Sequence, residues 1–222
     1  MGAVVSSRPG PSAPVPTAPA DDPDVDDGHR RGRILLALAA CMADKGYRAT
    51  TMSDIARVAQ VSKTVLYAHF QDKEHCLLEL YSGSTDAVLD TVRSAQEQAR
   101  EAELPWRERL ASVVAAYLAA LAAGPAVAWA ALVEVQAAGR RALALRREVV
   151  DRYVDLLGEV AEELGRLHPD EIRPVSRPLV LAAVGGINEL MLARVERGEA
   201  ERLPEDAEVA AAVLIGLLER RG

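Results

Sequence analysis

Hydrophobic residues recur every three to four positions along most of the chain, which is the spacing of one face of an α-helix. No segment shows the strict alternation of a half-buried strand. Prolines and glycines divide the periodic stretches, and these residues favour the first turn and the end of a helix respectively. The pattern predicts an all-α protein with helices at about 30–45, 52–59, 63–70, 73–100, 105–123, 125–138, 140–167, 176–197 and 204–220.

Two of the predicted helices are short and are joined by a tight turn at Gln60-Val61. Thr51 can cap the first of them, with Asp54 reaching back as in a capping box, and Ser62 can cap the second. A long helix follows directly. This arrangement is that of a helix-turn-helix, whose second helix lies in the major groove of DNA.

The second short helix is too polar on one face to be wholly buried. Leu66 points inward, whereas Lys63, Thr64 and Tyr67 share the outer face with His69 beside them. An ammonium group, two hydroxyl groups and an imidazole can bond to phosphates and base edges. The segment therefore predicts DNA binding, and two helices that merely pack together are the alternative.

At these positions the chain resembles the tetracycline-repressor (TetR/AcrR) family of bacterial transcription regulators. The agreement falls at fixed spacing, at Gly46-Tyr47, Thr51-Met52, Asp54-Ile55-Ala56, Val61-Ser62, Leu66-Tyr67, His69-Phe70 and Lys73-Glu74. Two positions depart from the family pattern. Gln60 replaces the usual glycine of the turn, and Val65 replaces a threonine whose hydroxyl would face a phosphate.

The predicted DNA contacts lie on the helix-turn-helix and at its two ends. For Tyr67, His69 and Lys73 the alternatives are a core tyrosine, a helix-end cap and a solvated lysine. We expect Lys73 to contact phosphate. The full set of predicted DNA-binding residues is Arg30, Thr51, Ser53, Ser62, Lys63, Thr64, Tyr67, His69 and Lys73.

The net charge of −7 argues at first against a polyanionic partner, but its distribution does not. Residues 29–73 carry a net charge of +5, whereas residues 1–28 carry −4 and residues 74–222 carry −8. Nucleic-acid binding needs a local basic patch rather than a basic chain. The basic segment coincides with the helix-turn-helix.

Composition divides the chain into three predicted parts. Residues 1–28 are rich in Pro, Ala, Ser and Asp with almost no large apolar side chain, so we expect a disordered tail. Residues 29–73 form the predicted DNA-binding domain, and residues 74–222 form a larger helical domain for effector binding and dimerisation. The N-terminus lacks the pattern of a secretory signal, and Glu134 and Gly124-Pro125 interrupt the Ala-rich stretch. We expect a cytoplasmic protein without a membrane partner.

Cysteine and histidine positions give little sign of metal or redox chemistry. Cys41 and Cys76 sit on apolar helical faces, which favours two small buried side chains, and a redox-sensing pair is the alternative. The four histidines form no metal-ligand spacing with cysteines or acids. We therefore expect neither a metal nor a cofactor.

Two segments near the C-terminus, residues 179–195 and 209–218, are apolar on most sides. Gly185, Gly186 and Gly216 are small enough to let helices approach closely. Burial on two sides predicts a four-helix dimer interface, with a monomeric core as the alternative. The resemblance also implies a homodimer that pairs through the last two long helices.

Polar or aromatic side chains interrupt the apolar faces of the middle helices. The resemblance implies a ligand cavity inside this domain, and core packing is the alternative for each residue. The buried carboxylate of Glu134 needs a partner, which can be an arginine, a ligand cation or the dimer mate. The predicted ligand-binding residues are Tyr117, Trp129, Glu134, Tyr153 and Asn188.

The leading functional hypothesis is a homodimeric, ligand-responsive transcription regulator that binds double-stranded DNA. We favour a repressor that a small-molecule effector releases from a palindromic operator. An enzyme would need clustered nucleophile, base or metal ligands, and the sequence shows no such cluster. The alternatives are a DNA-binding scaffold without a ligand, and an all-α enzyme with an incidental helix-turn-helix.

Overall fold

The computed structural model describes residues 23–220, and all regular elements in that range are helical. This confirms the predicted all-α class. Two short 3-10 helices, at Glu134–Ala137 and Ala200–Asp206, accompany the α-helices. The α-helices are α1 (Pro23–Ala49), α2 (Met52–Ala59), α3 (Lys63–His69), α4 (Lys73–Glu101), α5 (Trp106–Ala122), α6 (Pro125–Leu132), α7 (Arg140–Leu167), α8 (Arg177–Glu196) and α9 (Ala207–Leu218).

The first helix begins earlier than the sequence pattern predicts, at Pro23 rather than about residue 30. Residues 23–28 of the predicted tail are therefore helical, and residues 1–22 lie outside the described part of the chain. A proline in the first turn suits this start, because its fixed φ matches the helix and its missing N–H is not needed there. At the other end, Gly46 adopts φ 79° and ψ 161°, which breaks the regular helix directly after the predicted end at Lys45.

The sixth helix is shorter than predicted and ends at Leu132, where the backbone tightens into the 3-10 helix. In a continuous α-helix the side chains of Trp129 and Glu134, five positions apart, would point in divergent directions. The backbone leaves regular helical geometry at Val133, with φ −104° and ψ −62°, and the Trp129 indole donates a hydrogen bond to Glu134 over 3.0 Å. The prediction of an unbroken helix to residue 138 was wrong because this contact competes with regular winding.

A single hydrophobic cluster joins the helix-turn-helix to the helices that follow. Ile34, Leu38, Leu66 and Phe70 are fully buried at its centre, between α1, α2 and α3. The same cluster continues through Leu77 on α4 and through residues of α6 and α7. The helix-turn-helix is thus packed directly against the C-terminal helices and is not joined to them by a flexible linker.

The C-terminal helices enclose two further apolar clusters. The first lies between α5, α6, α8 and α9 around Leu118, Met191 and Leu203, and the second surrounds Trp106 and Leu164. Apolar side chains on the outside of α8 and α9 stay uncovered: Leu179, Leu181, Leu190, Val209 and Val213. By length and composition α8 is also able to cross a membrane, and 28% of its most apolar stretch is buried within the chain.

The turn of the helix-turn-helix holds Gln60 in the left-handed region, with φ 56° and ψ 43°. This is the conformation that glycine adopts without cost, whereas other residues lose about 1 kcal/mol. We expect Gln60→Gly to raise the free energy of unfolding by about 0.5–1 kcal/mol in chemical denaturation. Arg57→Gly on the exposed face of α2 is the control, and it should lower the free energy of unfolding by about 1 kcal/mol. Equal losses in both variants would contradict strain at the turn.

Candidate DNA-binding surface and effector cavity

The outer face of α3 carries the polar side chains that the sequence predicted there. Lys63, Thr64 and Tyr67 are exposed, Tyr67 to 54%, whereas Leu66 on the opposite face is fully buried. None of the three exposed side chains has a hydrogen bond or an ion pair within residues 23–220. An ammonium group, a hydroxyl and a phenol therefore face outward and can bind an external partner.

The start of α2 places two further predicted residues beside this face. Thr51 and Ser53 are exposed, and the Thr51 hydroxyl both donates to the Asp54 carboxylate over 2.6 Å and accepts from its backbone N–H over 3.2 Å. Hydrogen bonds from Lys45 and Thr51 hold the pKa of Asp54 well below its usual range. The predicted capping box is present, and it fixes the angle at which the chain enters α2.

The remaining predicted residues flank α3 on both sides. The Ser62 hydroxyl accepts a hydrogen bond from the Val65 N–H over 3.1 Å, so it caps α3 as predicted. Arg30 lies half-buried on α1. His69 differs from the expectation, because its side chain is only 10% exposed and its Nε2 lies 3.5 Å from the Asp27 carboxylate of α1. His69 follows Lys63 by six positions, which at 3.6 residues per turn carries it around the helix and off the outer face.

Lys73 is the clearest correction to the predicted DNA contacts. Its ammonium donates to the backbone carbonyls of Tyr47 over 2.5 Å and Thr50 over 2.7 Å. It also lies 4.1 Å from the centre of the Tyr47 ring, and burial lowers the pKa of Lys73. In this structure Lys73 therefore holds the α1–α2 connection instead of facing a phosphate.

Glu134 and Trp129 are likewise not in the cavity where the sequence analysis placed them. One carboxylate oxygen of Glu134 accepts from the Trp129 indole, and the other accepts from the Tyr47 backbone N–H over 2.7 Å. A side chain at Gly46 would meet this carboxylate, since an added Cβ lies 3.6 Å from Oε1. The partner of the buried carboxylate is thus the DNA-binding segment of the same chain.

A cavity of about 440 Å³ opens between α4, α5, α6 and α7. The structure brings three of the predicted ligand-binding residues together in its wall: Tyr117, Tyr153 and Asn188. The two tyrosine rings meet edge to face with their centres 5.5 Å apart. Its volume lies in the range of known small-molecule sites, and its wall is mainly apolar.

Five further polar residues of this wall were not predicted from the sequence: Tyr81, Ser84, Thr85, Thr91 and Arg146. Tyr81 and Thr85 are four positions apart on α4, and Val88 three positions later continues the same face, so helical spacing alone could have found them. Arg146 gives no comparable signal, because α7 carries several other arginines. Only the packing of α7 against α4 shows which arginine borders the cavity.

A larger groove of about 770 Å³ lies at the far end of α7, next to α8 and the loop that joins them. Charged side chains line it, and Arg177 is paired there with Asp151 over 2.6 Å and with Asp155. Small-molecule sites have mainly apolar walls with a few polar groups. The smaller cavity has such a wall and is therefore the better candidate.

The two cysteines are buried in the hydrophobic cluster or at its edge. Burial raises the pKa of Cys41 and raises that of Cys76 to about 12. Reactive cysteines are thiolates with a lowered pKa and access to solvent. The environment of both thiols therefore favours the structural interpretation over redox sensing.

Comparison with known proteins matches the helix-turn-helix region to a defined family. Residues 34–80 match the family described as bacterial regulatory proteins, tetR family. Over 88 residues the chain is 40% identical to the transcriptional activator FasR of Mycolicibacterium smegmatis, covering 40% of this chain and 38% of that protein. The chain thus matches less than two fifths of the length of this curated relative.

Solved structures show the same fold over most of the chain. The fatty acid degradation regulator FadR of Bacillus halodurans aligns with a TM-score of 0.76 at 23% identity, covering 86% of this chain and 97% of that one. FadR of Bacillus subtilis, solved in complex with stearoyl-CoA, aligns with a TM-score of 0.68 at 19% identity. The alignment covers 83% of this chain and 97% of that one. The overall arrangement of helices is therefore shared, and it extends far beyond the DNA-binding segment.

Substitution of Lys63, which is exposed, and of Lys73, which is hydrogen-bonded to the backbone, tests how much each lysine contributes to stability. Lys73→Met keeps a long side chain over the Tyr47 ring but removes the hydrogen bonds to two carbonyls, so the free energy of unfolding should fall by about 2 kcal/mol. Lys63→Met on the exposed face should change it by less than about 0.5 kcal/mol. Chemical denaturation of the full chain measures both. Equal stability of the two variants would show that the contacts of Lys73 contribute little to folding.

Proposed function

Because the chain belongs, through its N-terminal domain, to the tetR family of bacterial regulatory proteins, we propose that it is a ligand-responsive transcription regulator. It binds duplex DNA as a homodimer in the cytoplasm, and a small molecule in the C-terminal domain changes its affinity. The observation that carries this proposal is the unpaired polar face of α3, exposed at Lys63, Thr64 and Tyr67. A surface of this kind suits the major groove.

The proposed dimer interface is the uncovered apolar surface of α8 and α9. Leu179, Leu190 and Val213 are exposed on it, and Gly186 leaves open space beside its backbone. A second copy of the same surface would cover these side chains by two-fold symmetry. The dimer then presents two α3 helices, so its operator is partly palindromic with half-sites about one helical turn apart or slightly more.

The proposed effector carries a hydrocarbon chain. Stearoyl-CoA is the ligand of one structural neighbour, and the cavity between α4 and α7 has a mainly aliphatic wall. Some polar groups of that wall have no hydrogen-bond partner in the part of the protein that the structure describes. They favour a protein that binds a ligand over a scaffold that binds none. FasR is named as an activator and not as an enzyme, which supports a regulatory role. We favour repression with release by the effector, although the sign also depends on where the operator lies relative to a promoter.

Coupling between the cavity and the DNA-binding surface runs through two helices in this proposal. α4 carries Tyr81 and Thr85 in the cavity wall and Lys73 at the α1–α2 connection. α6 carries Val127 in the wall, and the Trp129–Glu134 contact at its end reaches Tyr47. A ligand that prefers one position of these helices would change the spacing of the two α3 helices. Coupling of about 1–3 kcal/mol suffices for such regulation.

Selection of bound fragments from random duplex DNA tests the first part of the proposal, and we expect a partly palindromic site. Lys63→Ala should weaken binding to that site by roughly tenfold, because it removes a cation from the DNA-facing surface. Arg93→Ala removes one charge from α4, far along the chain from α3, and serves as the control with unchanged affinity. Fluorescence anisotropy measures both variants. If Lys63→Ala and the wild type bound DNA with equal affinity, this would contradict the proposal that α3 is the helix that contacts the bases.

Sedimentation of the full chain tests the dimer. Gly186→Arg forces a charge into the proposed interface and should convert a dimer at micromolar concentration into a monomer without loss of helicity. Leu143→Arg, at an exposed position on α7, is the control and should remain dimeric. Leu214 is unsuitable for this test, because it is buried within a single chain. A monomeric wild-type protein would overturn the proposed interface.

A further inference from the structure

A second, smaller chamber shares part of its wall with the effector cavity. It has a volume of about 100 Å³, and its wall is largely aliphatic, with Val92, Leu110, Leu157 and Ile187 among its members. Tyr117, Tyr153 and Asn188 belong to the walls of both spaces. The edge-to-face pair of tyrosines is therefore a partition between a larger space with polar groups and a small apolar one.

The polar groups at and around this partition have no protein partners. The hydroxyl groups of Tyr81, Thr85, Tyr117 and Tyr153 and the amide of Asn188 make no hydrogen bond within residues 23–220. No fully buried side-chain nitrogen or oxygen atom of the described residues lacks a hydrogen-bond partner, so these groups are accessible from the two spaces that they line. They can therefore form hydrogen bonds with the oxygen atoms of a ligand.

Burial keeps the tyrosines around the cavity in their neutral form. It raises the pKa of Tyr81 to about 12 and holds the pKa of Tyr117 well above its usual value. At neutral pH the phenols therefore remain hydrogen-bond donors that can serve carbonyl or carboxylate oxygens.

Arg146 is the charged residue in the wall of the larger space, and neither space has an aspartate or glutamate in its wall. Arg146 has no ion pair or hydrogen bond in the described part of the chain. Ala87 and Thr91 of α4 belong to the same wall and are exposed, and Arg146 is half-buried, so we take this side of the wall as the mouth of the cavity. A cationic ligand would meet an uncompensated positive charge here, whereas an anionic one would be attracted.

We propose that the effector is an anionic amphiphile with a straight alkyl chain, and that the partition sets the length of chain that binds best. This inference rests on the proposed function and specifies its ligand. Arg146 binds the anionic group near the mouth, and the unpaired hydroxyl and amide groups bind oxygen atoms along the chain. The alkyl end displaces the Tyr117 and Tyr153 rings from each other and enters the apolar chamber. A dry apolar cavity of about 150 Å³ can hold a benzene molecule, so this chamber suits the last few carbons of a chain.

Direct binding without DNA tests the length limit and is independent of the proposed operator. Calorimetry of the full chain uses two series, straight-chain carboxylic acids and their coenzyme A thioesters, each lengthened two carbons at a time. Affinity should rise by roughly fourfold per added carbon until the chamber is full and should then fall. The series that binds shows whether the alkyl chain belongs to a free carboxylic acid or to a coenzyme A thioester. If neither series binds while the operator is still bound, the proposal is overturned and the proposed DNA-binding function stands.

Substitutions in the chamber test whether it determines chain length. Leu157→Phe fills the chamber and should shorten the preferred chain by at least two carbons, whereas Leu156→Ala enlarges it and should lengthen the preferred chain. Leu167→Phe, at an exposed position on α7, is the control and should leave the preference unchanged. An unchanged preference in both folded chamber variants would overturn the role of the chamber.

The neighbouring arginines of α7 test recognition of the anion. Arg146→Gln should weaken every member of the binding series by about tenfold or more, without changing the preferred length, because a charge-assisted hydrogen bond is lost. Arg147→Gln is the matched control, since Arg147 is exposed and lies outside both cavity walls. Equal weakening in both variants, or equally tight binding of a hydrophobic cation to the wild type, would contradict this role of Arg146.

Discussion

The backbone of Tyr47 holds two of the polar contacts that join the DNA-binding segment to the rest of the molecule. The Glu134 carboxylate accepts a hydrogen bond from its N–H, and the Lys73 ammonium donates one to its carbonyl. Hydrogen bonds to charged groups contribute roughly 1.5–3 kcal/mol each, and a buried charge left without its partner costs more than that. The chain can make both bonds because Gly46 turns with a positive φ, which glycine adopts without steric cost. Together with the hydrophobic cluster, this junction positions α2 and α3 relative to α4 and α6.

The junction and the cavity share the helices α4 and α6. Val127 and Leu132 of α6 face the cavity, whereas the indole of Trp129 on the same helix binds Glu134 at the junction. α6 also contributes Ala130 to the cluster around the helix-turn-helix and Ala128 to the cluster around α5 and α8. A tightly packed helix between two clusters cannot shift against one without shifting against the other, since protein interiors are close-packed. This packing gives the proposed coupling a short physical path.

The distribution of charge along the molecule is consistent with the two proposed partners, duplex DNA and an anionic effector. The segment 29–73 is basic, and the polar face of α3 lies within it. The acidic C-terminal part would be repelled by a duplex, which favours an orientation in which α3 approaches first. Inside this acidic part, the cavity wall contains Arg146 and no carboxylate, so the charged side chain in contact with a ligand would be a cation.

The sequence by itself determined the number and order of the α-helices, the capping of α2 and α3 and the outward face of α3, because these depend on spacing and on neighbours within a few residues. It also indicated Tyr117, Tyr153 and Asn188 as polar interruptions of apolar faces. Only the tertiary structure decided that Lys73 and Glu134 bind the backbone of Tyr47, since the Tyr47–Glu134 contact joins residues 87 positions apart. Similarly, Arg146 borders the cavity because α7 packs beside α4. The residue type determines which groups a side chain can bind. Its actual partner depends on which distant segment of the chain the fold places next to it.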